Sequence, residues 1–308
     1  MNSSFVKHII FPLIAAFIWG TAFVAMSLCA GRIPPFTCNA IRYSLAFIAL
    51  LIVGALFRAK GIAKEEGKNK DKRKIIAGGI ATGCLLAAAT CMQQAAMAEA
   101  TAARGGFLTT LYVVLVPVFA VFVGKKPERK VRICVLLAGI GLYYLCIPGG
   151  ENLFSSFKTS DALLVLCSAI LAVHVLVVDY YVQYVDGVLL STLQFFFAAL
   201  TSALLALLFE EPDPGAVASS ILPLLYLGVV SSGVGFTLQV LSQDGANPTL
   251  VTLLYSLENV IAVAAGAVLL HQMLSGRELF GCALMLIAVL LAQIPSAALM
   301  SAVREKDV

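Results

Sequence analysis

Ten runs of about twenty apolar residues follow one another along this chain, joined by short connections. They cover 8–30, 36–58, 75–98, 103–124, 131–148, 161–181, 188–209, 219–241, 248–270 and 279–299. A helix of that length matches the hydrocarbon thickness of a bilayer, and in lipid only helices and closed barrels satisfy their own backbone groups. The pattern predicts an all-α integral membrane protein with ten transmembrane helices. Composition agrees. Of 308 residues 60% are hydrophobic and 12% charged, about half the charged share of a soluble domain. The run from Ile9 to Ala30 is too long for the h-region of a cleaved signal and reads as the first span. The fifth run is short and stops at Pro148-Gly149-Gly150.

Orientation follows from the basic residues, which accumulate on the cytoplasmic side of short loops. With the N-terminus inside, one side receives sixteen Lys and Arg, including those of 58–74 and 125–132. The other side receives four, Arg32, Arg104, Lys158 and Arg277, together with the acidic turn Glu210-Glu211-Pro212-Asp213. Both termini are therefore expected in the cytoplasm, with the chain multi-pass in a bacterial inner membrane. The Lys-rich connection 58–74 also holds Glu65, Glu66 and Asp71 and reads as a solvated linker rather than a nucleic-acid site.

The chain repeats itself weakly. A shift of 142 lays Thr110–Gly124 over Thr252–Gly266 with seven of fifteen positions identical, and pairs Leu137, Gly139 and Leu142 with Leu279, Gly281 and Leu284. A shift of 150 pairs Gly78 with Gly228 and Gly83 with Gly233. The expected organisation is one five-helix repeat over 1–150 and a second over 151–308. Five spans is an odd number, so the second repeat runs through the membrane inverted. Inverted halves are a transporter design, with a site at the midplane and exchangeable gates.

Several stretches resemble the drug/metabolite transporter superfamily, and within it the ten-span EamA type. They are Ala16-Phe17-Ile18-Trp19-Gly20-Thr21, Pro34-Pro35 followed by Asn39-Ala40-Ile41-Arg42, Pro117-Val118-Phe119-Ala120 with Gly124, and Leu257-Glu258-Asn259. The family usually has proline where Asn259 stands, and an acidic residue where Lys125 and Ala267 follow the glycines. The resemblance implies a carrier of amino acids, related metabolites or toxic compounds. It also implies a central cavity lined by the middle spans of each half, with the fifth and tenth spans outside. It fixes no substrate.

Polar residues inside the spans are the candidate site, because each is costly there unless it meets a cavity or a partner. In span nine Thr252, Tyr255, Ser256 and Asn259 share a helix face and Glu258 borders it. Glu258 is read as a proton carrier or a contact for a substrate ammonium, against a structural hydrogen bond to a neighbouring span. Trp19 lies at the middle of span one, too deep for an interfacial anchor, and is a cavity-lining candidate. Asn39, Arg42 and Tyr43 share a face of span two. Arg42 is either a gate charge or anion contact, or a side chain that snorkels outward. A shift of 152 pairs Asn39 with Ser191 and Arg42 with Gln194, an inner counterpart. Thr90, Gln93 and Gln94 share a face of span three and read as interhelical bonding or polar lining. His174 admits a core, relay or substrate role. Tyr112 and Tyr255 supply aromatic lining suited to a small amphipathic ligand. Glu99 and Arg104 are expected to pair across an outer turn.

The eight cysteines show no ligand spacing and read as buried small hydrophobes. The glycines of spans three and eight read as close-packing positions. No phosphate-binding, dinucleotide, zinc-protease or nucleophile-elbow motif is present in the sequence. The expectation is a secondary transporter, not an enzyme, exporting an amino acid or related metabolite by alternating access. Import or exchange is the first alternative, and an intramembrane enzyme is a distant one from another class. No cofactor, metal or nucleic acid is expected. The partners are a small-molecule substrate, the bilayer and a candidate coupling proton, with monomer and homodimer both left open.

Overall fold

Several helices begin where a short polar side chain holds the free N–H groups of a first turn. Residues 6–59, 71–119, 129–146, 158–243, 254–255 and 257–293 are described by the computed structural model. Asp71 accepts from Arg73 N and Lys74 N to open α3 (Lys72–Ala96). Thr101 opens α4 (Ala102–Thr110), and Asp186 opens α8 (Gly187–Phe209) through Val188 N and Leu189 N. A π-helical turn, Val6–Ile10, leads into α1 (Phe11–Cys29), and Gly31 at φ 74° turns the chain into α2 (Pro35–Ala59).

The remaining helices are α5 (Tyr112–Phe119), α6 (Arg129–Cys146), α7 (Thr159–Tyr181), α9 (Pro214–Ser219), α10 (Ile221–Leu225), α11 (Thr237–Gln243), α12 (Leu257–Leu270) and α13 (Gly276–Gln293). Between α10 and α11 the helix runs in π geometry over Tyr226–Phe236. Among the described residues there is no strand.

Each of the ten predicted spans carries helix, but six are long and apolar enough to cross a membrane: His8–Cys29, Pro35–Ala55, Lys72–Ala96, Thr159–Tyr181, Gly187–Phe209 and Ile221–Ser242. The other four are shorter in the described residues. The predicted span 103–124 divides at Leu111 into α4 and α5, and 131–148 is represented by α6. The ninth and tenth are represented by α12 and α13. Ser256, Gly124, Lys125, the 148–150 stop, the core of the Lys-rich connection (60–70) and both chain ends lie outside the described residues.

Packing follows a definite set of neighbours. α1 runs beside α12 and the π segment, α2 beside α8 and the π segment, and α3 beside α7 and α8. α4 and α5 lie against α7, α4 also meets α12, and α6 pairs with α13. Large apolar side chains left on the outside, such as Leu204, Leu207, Leu208, Phe209, Leu222 and Val268, form the surface suited to lipid. The chain is an integral membrane protein.

Glycines let these helices touch backbone to backbone. A Cβ on Gly83 would lie 2.6 Å from the Gln194 carbonyl oxygen, and one on Gly228 would lie 2.9 Å from that of Arg42. Gly141, not Gly139, meets Gly281: a Cβ on Gly281 would lie 2.7 Å from the Gly141 carbonyl, whereas Gly139 faces open space.

Two ties join helix ends. Arg104 donates to the Leu145 carbonyl at 3.0 Å through Nη2 and lies 3.6 Å from the buried Asp161 carboxylate, joining α4, α6 and α7. The expected pairing of Arg104 with Glu99 is not seen among the described residues: Glu99 is exposed, and Arg104 turns to the buried Asp161. The second tie is a borrowed cap. α2 begins at Pro35, which has no N–H, and the preceding Pro34 has no polar side chain to cap it. Glu210, at the end of α8, accepts from Phe36 N at 2.8 Å, Thr37 N at 2.7 Å and Thr37 Oγ1 at 2.8 Å. Glu210→Ala is expected to cost about 1–2 kcal/mol of stability, with Glu210→Gln losing less, read as the midpoint of thermal unfolding in detergent.

Candidate functional site

Side chains of α1–α5, α7, the π segment, α11 and α12 converge on one cavity. Trp19, Phe23, Tyr112, Leu171, Val175 and Phe236 form its apolar wall; Arg42, Thr90, Gln93, Thr109, His174, Ser231, Gln239 and Glu258 supply its polar groups. A mostly apolar wall with a few converging polar groups is the ordinary anatomy of a small-ligand site.

Arg42 is 3% exposed and does not snorkel. Its Nε donates to Ser232 Oγ at 2.6 Å and its Nη2 to Ser231 Oγ at 3.3 Å, while Nη1 has no hydrogen-bond partner. The serines come from the π segment, whose wider turn places two successive hydroxyls toward α2. Ser231 also accepts the Trp19 indole N–H on its carbonyl at 3.3 Å. The Trp19 ring rests on Phe236 and Tyr255, with centroids 4.9 and 5.4 Å away. Trp19 is therefore a wall of the cavity and not an interfacial anchor.

Glu258 is 4% exposed, in the first turn of α12. Thr110 Oγ1, at the end of α4, lies 2.6 Å from Glu258 Oε1, 2.8 Å from Asn259 Oδ1 and 3.0 Å from the Gly106 carbonyl. Arg42 and Glu258 line the same cavity, yet no ion pair joins them among the described residues. Arg42 is held by the two serine hydroxyls and the Tyr43 ring, 5.4 Å from its guanidinium carbon, and Glu258 by the Thr110 hydroxyl. Neither meets an opposite charge among the described residues, which leaves electrostatic demand for a ligand.

The other sequence candidates divide into lining and support. Gln93 and Tyr112 line the cavity, and Gln93 donates to Thr109 Oγ1 at 3.1 Å. His174 lines it too, with Nε2 3.2 Å from Gln194 Oε1; Gln194 stands behind as its partner. Tyr255 is buried behind Trp19 with its hydroxyl 2.6 Å from that of Ser242. Asn39 is fully buried against Cys91, and Asn259 is fully buried against Thr110. Gln94 donates to the Met26 carbonyl and borders a separate recess at the turn between α1 and α2. Sequence reasoning missed Thr109, Thr110, Ser231, Ser232 and Gln239 as site groups. The available signal was the adjacent hydroxyl pairs, Thr109-Thr110 and Ser231-Ser232, inside apolar runs.

With this geometry in place, the comparisons with known proteins decide the family. The model of the EamA-like transporter family matches residues 6–147 and again 158–293. The chain belongs to the EamA-like transporter family. An uncharacterized transporter of Archaeoglobus fulgidus is 27% identical over 282 residues, covering 91% of this chain and 84% of that protein. A protein of known crystal structure shares the fold with a TM-score of 0.66 at 20% identity, covering 92% of this chain and 95% of its own. Membership and the transporter relative support a membrane transporter; members of this family are not enzymes.

The cavity is expected to be reachable by water. In a cysteine-free background, Cys at Ala22 or Val175 should react with a membrane-impermeant maleimide and be protected by ligand. Cys at Ala198, buried between helices, should not react. Gel-shift labelling of each variant checks this.

Proposed function

We propose that this chain is a secondary transporter that exports a small zwitterionic solute, an amino acid or a related metabolite, across the cytoplasmic membrane by alternating access. The observation that carries the reading is a single cavity lined by Arg42 and Glu258 with no ion pair between them. Arg42 Nη1 is the contact for the substrate carboxylate, and Glu258 is the contact for its ammonium group and the group that takes up a coupling proton. Trp19, Phe23, Tyr112 and Phe236 meet the side chain of the solute.

In the same reading the ten helices are two inverted five-span repeats, with both termini cytoplasmic. Four observations support it. The family model matches twice in tandem. The helix pairings survive exchange of the halves: α1 beside the π segment corresponds to α7 beside α3, and α2 beside the π segment to α8 beside α3. The glycine contacts correspond too, since Gly228 meets Arg42 and Leu45 while Gly83 meets Gln194 and Phe197, each pair 152 residues apart. The basic residues fall sixteen to four on the two sides. Import or exchange uses the same site and differs only in the gradients that drive it.

Uptake of a labelled amino-acid panel into proteoliposomes, with and without a pH gradient, tests the reading. Arg42→Gln should raise KM about tenfold or more for solutes with a free carboxylate and leave their carboxamides little changed, as expected for loss of a charge-assisted bond. Glu258→Gln should abolish the effect of the pH gradient. A panel in which no amino acid moves overturns the substrate class.

A further inference from the structure

The hydroxyl of Thr110 has one proton and three oxygen neighbours. Glu258 Oε1 is at 2.6 Å, Asn259 Oδ1 at 2.8 Å and the Gly106 carbonyl at 3.0 Å. An ionised carboxylate, an amide oxygen and a carbonyl are all acceptors, so a single O–H leaves oxygen facing oxygen without hydrogen between them. Two arrangements remove the shortage. In the first, Glu258 is a neutral acid and donates to Thr110 Oγ1, while Thr110 donates to Asn259 Oδ1 and shares with Gly106. In the second, Glu258 is ionised and accepts from Thr110, and the Asn259 amide is turned so that Nδ2 donates to Thr110 Oγ1. Nδ2 has no partner in the first arrangement and gains one in the second.

We propose that Thr110 is a positioning residue that lets Glu258 hold either protonation state while buried, by reversing its own hydrogen bond and, through it, the Asn259 amide. This rests on the reading of Glu258 as the group that takes up the proton. The exchange balances. The acid loses its proton to water in the cavity, the Thr110 O–H rotates from Asn259 to the new carboxylate, and the amide turns to donate in its place. No bond between heavy atoms changes.

The groups around Glu258 do not duplicate this role. Tyr112 from α5 and Tyr255 beside it in the chain interact with it electrostatically, and Arg42 and His174 share its cavity. Arg104, the charged residue of α4, is committed to Asp161 and Leu145. α1, packed along α12, has no Lys, Arg, Asp or Glu between Phe11 and Cys29. Thr110 alone among the described residues is within hydrogen-bonding distance of the Glu258 carboxylate.

Infrared difference spectroscopy of purified protein tests this without knowing the substrate. The carboxylic-acid C=O band lost in Glu258→Gln identifies the group and is titrated with pH. Thr110→Val should move the midpoint upward by about one unit, because the ionised state loses the stronger, charge-assisted bond. Thr110→Ser should restore the wild-type midpoint, and Asn259→Ala should shift it the same way by less. If Thr110→Val does not yield folded protein, Thr110→Ala and Asn259→Ala carry the test. An unchanged midpoint in the hydroxyl-deleted variants, with the Glu258 band present, overturns the role of Thr110 and leaves the proton-carrier reading standing. Absence of any band lost in Glu258→Gln across the pH range overturns both.

Discussion

A guanidinium and a carboxyl group that line one cavity without touching each other are the constraint on which the rest of this architecture depends. Bringing a guanidinium and a carboxylate to bilayer depth costs several kcal/mol each, and a direct pair would return part of that cost. Here the return comes from hydroxyls instead: Ser231 and Ser232 for Arg42, Thr110 for Glu258. Neutral donors and acceptors hold a charge in place without cancelling its field. The guanidinium keeps Nη1 free, so the cavity is organised around what it lacks.

Holding the charges apart requires stiff neighbours, and the close-packed helices supply them. Where α2 crosses the π segment, Gly228 sits against the Arg42 carbonyl, so the backbone that bears the guanidinium is fixed at close range to the serines that hold it. Gly83 does the same for Gln194, which in turn orients the His174 ring. At the opposite margin α6 and α13 meet through Gly141 and Gly281 and stay out of the cavity. Backbone contacts are less compressible than side-chain contacts, and that rigidity is what makes a polar atom at 2.6 Å a fixed feature.

The sequence was most informative where chemistry is rare. In a chain this apolar, Arg42, Glu258, His174 and Trp19 stand out, and all four line the cavity. Helix positions were legible for the same reason, since long apolar runs bounded by Pro, Gly and charge leave little choice. The partners were not legible. Thr110 entered only as a match in an internal repeat, because threonine is common in membrane helices and its usual role is a bond to its own backbone, which it also makes to Gly106. Ser231 and Ser232 face Arg42 only because the helix widens there, and a change of helical period leaves no mark in hydrophobic patterning. Asn259 was read onto a lining face from 3.6-residue spacing; the actual rotation of α12 turns it onto Thr110 and gives Glu258 the cavity.

What couples the site to the whole molecule is where these bonds run. Arg42 and Trp19 belong to the N-terminal match to the family and are held by Ser231, Ser232 and Phe236 of the C-terminal one. Glu258 and Asn259 belong to the C-terminal match and are held by Thr110 of the N-terminal one. Each half therefore positions the chemistry of the other. If the halves rock against each other, as the alternating-access reading requires, a movement that parts both α1 and α2 from the π segment releases Trp19 and Arg42 together, because Ser231 serves both. A solute bridging Arg42 and Glu258 would replace, across the cavity, bonds that such a motion breaks at its edge. Substrate occupancy and movement of the halves would then be linked by the same few hydroxyls, with no separate transmission path needed.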